Sequence, residues 1–303
     1  MQPSPTALPS VTAGAAGAAL AGGPVGVLGA AADEASGDRL PHPRGIWVTG
    51  RFDPSPEAVA LGSATLLTGP EVSVVARFSR TPRGRDGHDG APGEQGLAVR
   101  FYAGAGEEMD LVAGTLPVFF VRTAADLRAF RLAARSPDPA AVPAFLERHP
   151  EAATATALAE ASRPAESFTG VAYHAVHTFG LVDAVGRTRW ARLSWQPERP
   201  LPALDPDAAL ARPADYLTAG LRERLPARFR LVAQLPCPDD APALHDPTRL
   251  WSQEPARTAV LGTLVLDAVY VPLPGREPRF EVLRLPEGFV APRDGLAGVT
   301  ASA

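Results

Sequence analysis

Six histidines, His42, His88, His149, His174, His177 and His245, offer proton-transfer chemistry, because imidazole both takes and gives a proton near neutral pH. His42 differs from the others: Pro41 and Pro43 flank it and hold its backbone extended just before a predicted strand. A stiffly held base suits acid–base catalysis. His174 and His177 lie three apart in a predicted strand, point to opposite faces and do not form the i, i+4 pair of a helical metal site. His88 in a charged loop and His149 at a helix end are expected at the surface, and His245 sits in a proline-rich loop. Asp86, Asp89 and Glu94 of the glycine-rich stretch 82–96 invite a calcium reading, but their spacing misses the EF-hand pattern and a solvated turn is expected. The lone Cys237 makes neither an intrachain disulfide nor a structural zinc site, and no metal site is assigned. The chain has no GxSxG elbow, GxxxxGK[ST] loop, HExxH helix or CxxC pair, so the common hydrolase, nucleotidase and zinc readings lose their anchors. Gly104-Ala105-Gly106 runs straight into Glu107 and Glu108, which repel a phosphate.

The elements that must position these side chains are mostly short strands. Arg44 to Phe52 alternates apolar and polar residues and ends at Asp53-Pro54-Ser55-Pro56, a strand closed by a turn. Val72 to Phe78, Leu97 to Tyr102 and Leu116 to Val121 are rich in valine and phenylalanine and predict further strands. Leu127, Phe130 and Ala134 share one face of a helix over 124–135, with helical pieces following to residue 161. Phe168 to Val182 and Arg187 to Trp195 predict a hairpin turning at Asp183-Ala184-Val185-Gly186, in which Ala191, Leu193 and Trp195 alternate with Trp190, Arg192 and Ser194. Pro213 opens a helix carrying Leu217, Leu221 and Leu225 on one face, and Phe229 to Leu235 and Ala259 to Val271 close the series as strands. The fold class expected is α+β, an antiparallel β-barrel with helices packed outside.

The 303 residues carry a net charge of -4, no field to draw a polyanion, so nucleic acid is not an expected partner. Every basic residue is arginine, and there is neither lysine nor asparagine. Residues 1–38 form a low-complexity arm, uncharged up to Asp33 and rich in alanine, glycine and proline. Its composition predicts disorder before an export signal or a membrane anchor, and a cytoplasmic protein before an exported one. Residues 39–290 are expected as one barrel domain and 291–303 as a short tail.

Arg39-Leu40-Pro41-His42-Pro43-Arg44-Gly45 resembles the R-x-x-H-x-[KR]-G segment of the catalase-related haem peroxidases, and Gly50-Arg51-Phe52-Asp53-Pro54-Ser55 follows at the family's distance. Val75-Ala76-Arg77-Phe78-Ser79 resembles the V-x-R-F-S strand, and Gly96-Leu97-Ala98-Val99-Arg100-Phe101-Tyr102 resembles G-[FL]-A-V-[KR]-F-Y, with Gln95 where an arginine is usual. Asp110-Leu111-Val112 with Pro117-Val118-Phe119-Phe120-Val121-Arg122 resembles D-L-V-x4-P-x-F-F-x-R, and His177-Thr178-Phe179 and Asp246-Pro247-Thr248-Arg249-Leu250-Trp251 match later segments. The resemblance, over roughly residues 39 to 290, implies a catalase-like barrel binding haem. It implies that His42 moves a proton between the peroxide oxygens, that Ser79 fixes its tautomer, that Arg39 and Arg77 meet the haem propionates, and that Phe119 and Phe120 line the distal side. Hydrogen peroxide or an organic peroxide and an external reductant are the implied partners, with homo-oligomerisation left open.

Two departures qualify this. Where full catalases have an asparagine after D-L-V-G to orient peroxide, the aligned residue here is Gly114, which favours peroxidase chemistry with an external reductant over rapid disproportionation. The family's tyrosinate haem ligand lies in an R-x-x-x-Y segment, whereas the tyrosines here are Tyr102, Tyr173, Tyr216 and Tyr270. Weak haem binding is therefore expected of the sequence as it stands, and the alternative is a haem-free binding or structural module of the same fold.

Overall fold

The computed structural model describes residues 45–80, 87–91, 93–104 and 106–298. Nine strands are present among them: β1 (Gly45–Pro54), β2 (Val72–Arg80), β3 (Gln95–Tyr102), β4 (Glu108–Gly114), β5 (Tyr173–Val182), β6 (Thr188–Pro197), β7 (Ala227–Gln234), β8 (Thr258–Tyr270) and β9 (Phe289–Val290). They hydrogen-bond antiparallel in the order β4-β3-β2-β1-β8-β7-β6-β5-β9, and a β4–β5 pairing at Gly114 and His174 closes the first eight into a barrel. This is the expected antiparallel barrel.

Alternation along each strand sends one set of side chains inward. Val74, Ala76 and Phe78 of β2, Leu97, Val99 and Phe101 of β3, and Ala191, Leu193 and Trp195 of β6 join one buried core. The aromatic rings fill the barrel's centre: Phe52 meets Phe101 edge-on at 5.3 Å, and Phe101 stacks on Trp195 at 6.0 Å. Close packing of this kind leaves chemistry to the outer face.

Outside lie helices α1 (Thr65–Thr68), α2 (Ala124–Arg135), α3 (Ala141–Arg148), α4 (Ala152–Ala161), α5 (Pro206–Leu210) and α6 (Tyr216–Glu223). Thr123 caps α2 by accepting from the Asp126 N–H. No helix among the described residues is long and apolar enough to cross a membrane.

Two expected strands are corrected. Leu116 to Val121 is not a sheet strand: the run lacks alternation, and Val118, Phe120 and Val121 bury together against Leu127, Phe130 and Phe145 in a second, helical core. The strand in this region is β4, in which the outward Glu108 and Asp110 alternate with the core residues Met109 and Leu111. The predicted Phe168 to Val182 strand begins only at Tyr173, because Ser167 caps a short 3-10 turn over Phe168–Gly170. Residues 291–298, placed in the tail from sequence, lie on the body of the protein: Asp294 pairs with His177 at 2.8 Å, Gly295 bridges Thr123, and Leu296 and Ala297 are buried.

Candidate active site on the outer barrel face

Arg77 and Ser79 are two apart on β2 and so share the outward face, yet both are buried. The register sets what surrounds them. Ser79 lies opposite Gly45 on β1 and Gly96 on β3; Gly96 lies opposite Gly114 on β4, and Gly114 opposite His174 on β5. Directly paired residues face the same side, so three glycines flank one serine in a row across four strands. At a strand spacing of about 4.8 Å the row is about 14 Å wide. The neighbouring row is Trp47, Arg77, Ala98 and Val112.

Each glycine makes room for a polar side chain. A Cβ on Gly96 would stand 2.7 Å from the Ser79 Oγ, and one on Gly45 would stand 2.6 Å from the Arg77 guanidinium. A Cβ on Gly114 would overlap the Glu94 carboxylate, which fills the space a side chain at 114 would take. Ser79 is 1% exposed and its Oγ has no hydrogen-bond partner among the described residues. A buried hydroxyl in that state costs free energy unless something else completes it.

The charges here are perturbed by burial. Desolvation draws Arg77 down to about 10, and its guanidinium lies over the Trp47 ring at 5.6 Å. Trp47 in turn stacks on Phe280 at 5.6 Å. Desolvation lifts the Glu94 carboxyl to about 7, partly offset by the Leu116 N–H that donates to it. His174, at the end of the glycine row, is held below the ordinary histidine value by the same desolvation.

A catalase family profile matches residues 27–271. The chain is 30% identical over 238 residues to a catalase-related peroxidase of Mycolicibacterium paratuberculosis, covering 76% of this chain and 74% of that protein. The chain belongs to the catalase family. A catalase-related peroxidase of Synechococcus elongatus is 29% identical over 248 residues, covering 79% of this chain and 72% of the relative. Catalase A from Saccharomyces cerevisiae superposes with a TM-score of 0.74 at 18% identity, over 86% of this chain and 58% of that one, a likeness of fold. The chain thus spans about three quarters of the two peroxidases and about half of a Pseudomonas syringae catalase, 48% of which it covers. These relatives put it among catalase-like oxidoreductases.

Arg77 and Ser79 sit side by side on the outward face of β2. Arg39 and His42 lie outside the described residues. Phe120 turns its ring edge-on to Phe130 at 4.7 Å, inside the helical core, while Phe119 is half-buried and tilts against Phe120 at 5.4 Å. The solvated turn expected around Asp89 and Glu94 is corrected: Asp89 is buried, accepts from the Leu217 N–H at 2.9 Å and lies 3.9 Å from Arg80. Asp86 lies outside the described residues. His88 also has inward partners, the Arg212 carbonyl and the Gly90 N–H, each at 2.9 Å. A loop rich in charge and glycine reads as solvated, and only the cross-barrel register shows what Glu94 meets.

Of the groups a haem would need, the buried Arg77 guanidinium could hold a carboxylate arm, beside the unpartnered Ser79 hydroxyl. The tyrosines are placed elsewhere. Tyr173 donates to the Phe168 carbonyl inside the barrel and Tyr216 to the Ala165 carbonyl. Tyr270 is the exception: paired with Trp47, it lies on the outward face in the row of Arg77, next to the row of Ser79, whereas Tyr102 is at the far end of β3.

Proposed function

We propose that this chain is a haem-dependent peroxidase that reduces hydrogen peroxide or an organic peroxide at the expense of an external reductant. The observation that carries this reading is the unpartnered Ser79 hydroxyl in a row of glycines, directly opposite Gly45, where the chain arriving from His42 joins the sheet.

In the proposed site Ser79 hydrogen-bonds one ring nitrogen of His42 and fixes its tautomer, leaving the other nitrogen to face peroxide. His42 takes a proton from one peroxide oxygen and returns it to the other. Arg77, with Arg39 as its sequence partner, holds the propionates, and the half-buried Phe119 ring supports the apolar wall with Phe120 behind it. Haem, when bound, supplies the redox chemistry that cleaves the O–O bond. A second reading, a haem-free binding module of the same fold, is favoured by one observation: no tyrosine among the described residues lies in the glycine row, and Tyr270 is one row away.

The test is His42→Ala in protein expressed with haem supplied, read as peroxide-dependent oxidation of a chromogenic phenol. The variant is expected to keep its haem absorption and lose about 10²-fold or more in rate. Equal rates in both proteins contradict the role of His42, and protein that takes up no haem favours the second reading.

A further inference from the structure

The distal floor lacks a side chain at position 114, and another group has moved into that space. Glu94 directly precedes β3, where alternation puts it on the same outward face as Gly96, and its carboxylate lies where a Cβ on Gly114 would be. Among the described residues it accepts from the Leu116 N–H, at 3.3 Å, which leaves lone pairs to spare. Glu94 also forms part of the wall of a cavity lined by Arg80, Asp89, Thr115, Ser162 and Arg163 beside apolar Leu116, Ala159 and Pro164. The carboxylate thus stands between the glycine floor and this cavity.

We propose that Glu94 is a proton-transfer group of the peroxide pocket, exchanging one proton with the bound hydroperoxide across Gly114 and with water through that cavity. In the forward step the Glu94 carboxylate accepts the hydroperoxide O–H proton. One O–H bond breaks and one forms on Glu94, the bonding pair stays on the peroxide oxygen, and the negative charge passes from Glu94 to the peroxide. No electrons are exchanged. This rests on the peroxidase reading above, and it gives the pocket a second acid–base group beside His42.

The base form must be the carboxylate, which accumulates as pH rises through about 7. The other charged or titrating groups around it are Arg80 and Asp89, which face each other at 3.9 Å, Arg163 of the cavity wall, and His174, held below its ordinary value. Asp89 is the other carboxyl among these groups, so the Glu94→Gln comparison assigns the band.

Two measurements test the proposal. In haem-free protein, the infrared carboxyl band of wild type should titrate near pH 7 and be absent from Glu94→Gln. In haem-loaded protein, the wild-type rate of hydrogen peroxide consumption should rise through the same pH, while Glu94→Gln should be flat and at least tenfold slower at pH 8. A Glu94→Gln profile that matches wild type, with His42→Ala still slow, overturns the role of Glu94 and leaves the peroxidase reading standing. Unchanged rates in both variants overturn both.

Discussion

Asp110→Asn should destabilise the folded chain by about 3–5 kcal/mol, measured as a shift of the urea midpoint at constant slope. Asp110 is 0% exposed and accepts from Arg100 Nε at 2.7 Å, Arg100 Nη2 at 2.8 Å and the Glu281 N–H at 2.8 Å, with Arg284 Nε at 3.1 Å. The amide removes the charge while two guanidinium groups remain. Arg100 also donates to the Arg279 carbonyl and lies over the Phe280 ring at 5.7 Å. Because Phe280 stacks on Trp47, and Trp47 carries Arg77, loosening this network should also weaken the floor of the site. An Asp110→Asn protein as stable as wild type would show that the carboxylate offsets no more than its own desolvation.

Glu94→Gln should act in the opposite direction, and only above a certain pH. A carboxyl that ionises at about 7 in the folded chain, against an ordinary 4.5, holds its proton more tightly folded than unfolded. Stability therefore falls as pH rises from about 4.5 to about 7 and stays at that deficit above it, a cost on the order of 3 kcal/mol. Glutamine removes the ionisation, so the variant should gain up to about 3 kcal/mol at pH 8 and nothing at pH 4. A gain that does not depend on pH would place its cause in packing. Loss of peroxide turnover in a variant that has become more stable is the trade expected of a strained functional group.

The contrast between Asp110 and Glu94 shows how far this site is legible in sequence. Strands β1, β2, β6, β7 and β8 announce themselves because one residue in two is apolar and the barrel has a dry interior. Asp110 sits in such a strand and faces outward beneath the segment at 279–284, and β4 is missed although Glu108-Met109-Asp110-Leu111 alternates. Leu116 to Val121 fails in the opposite sense, since an unbroken apolar run serves a helical core as well as a strand. Ser79 and Arg77 were accessible through their family segment, and their spacing of two guarantees a common face. Glu94 was not. Its meaning depends on Gly114, twenty residues on and one strand across, lacking a side chain, and no local pattern expresses that.

The central claim is that the glycine row around Ser79 is the floor of a haem site. Its most direct test is a haem titration of haem-free wild type and Gly96→Leu, followed by absorbance, with circular dichroism establishing that the variant keeps its strands. A side chain at 96 begins 2.7 Å from the Ser79 Oγ and can only extend over the floor. Wild type should take up haem, weakly, and Gly96→Leu should take up almost none. Equal haem uptake by a folded Gly96→Leu protein would contradict the claim.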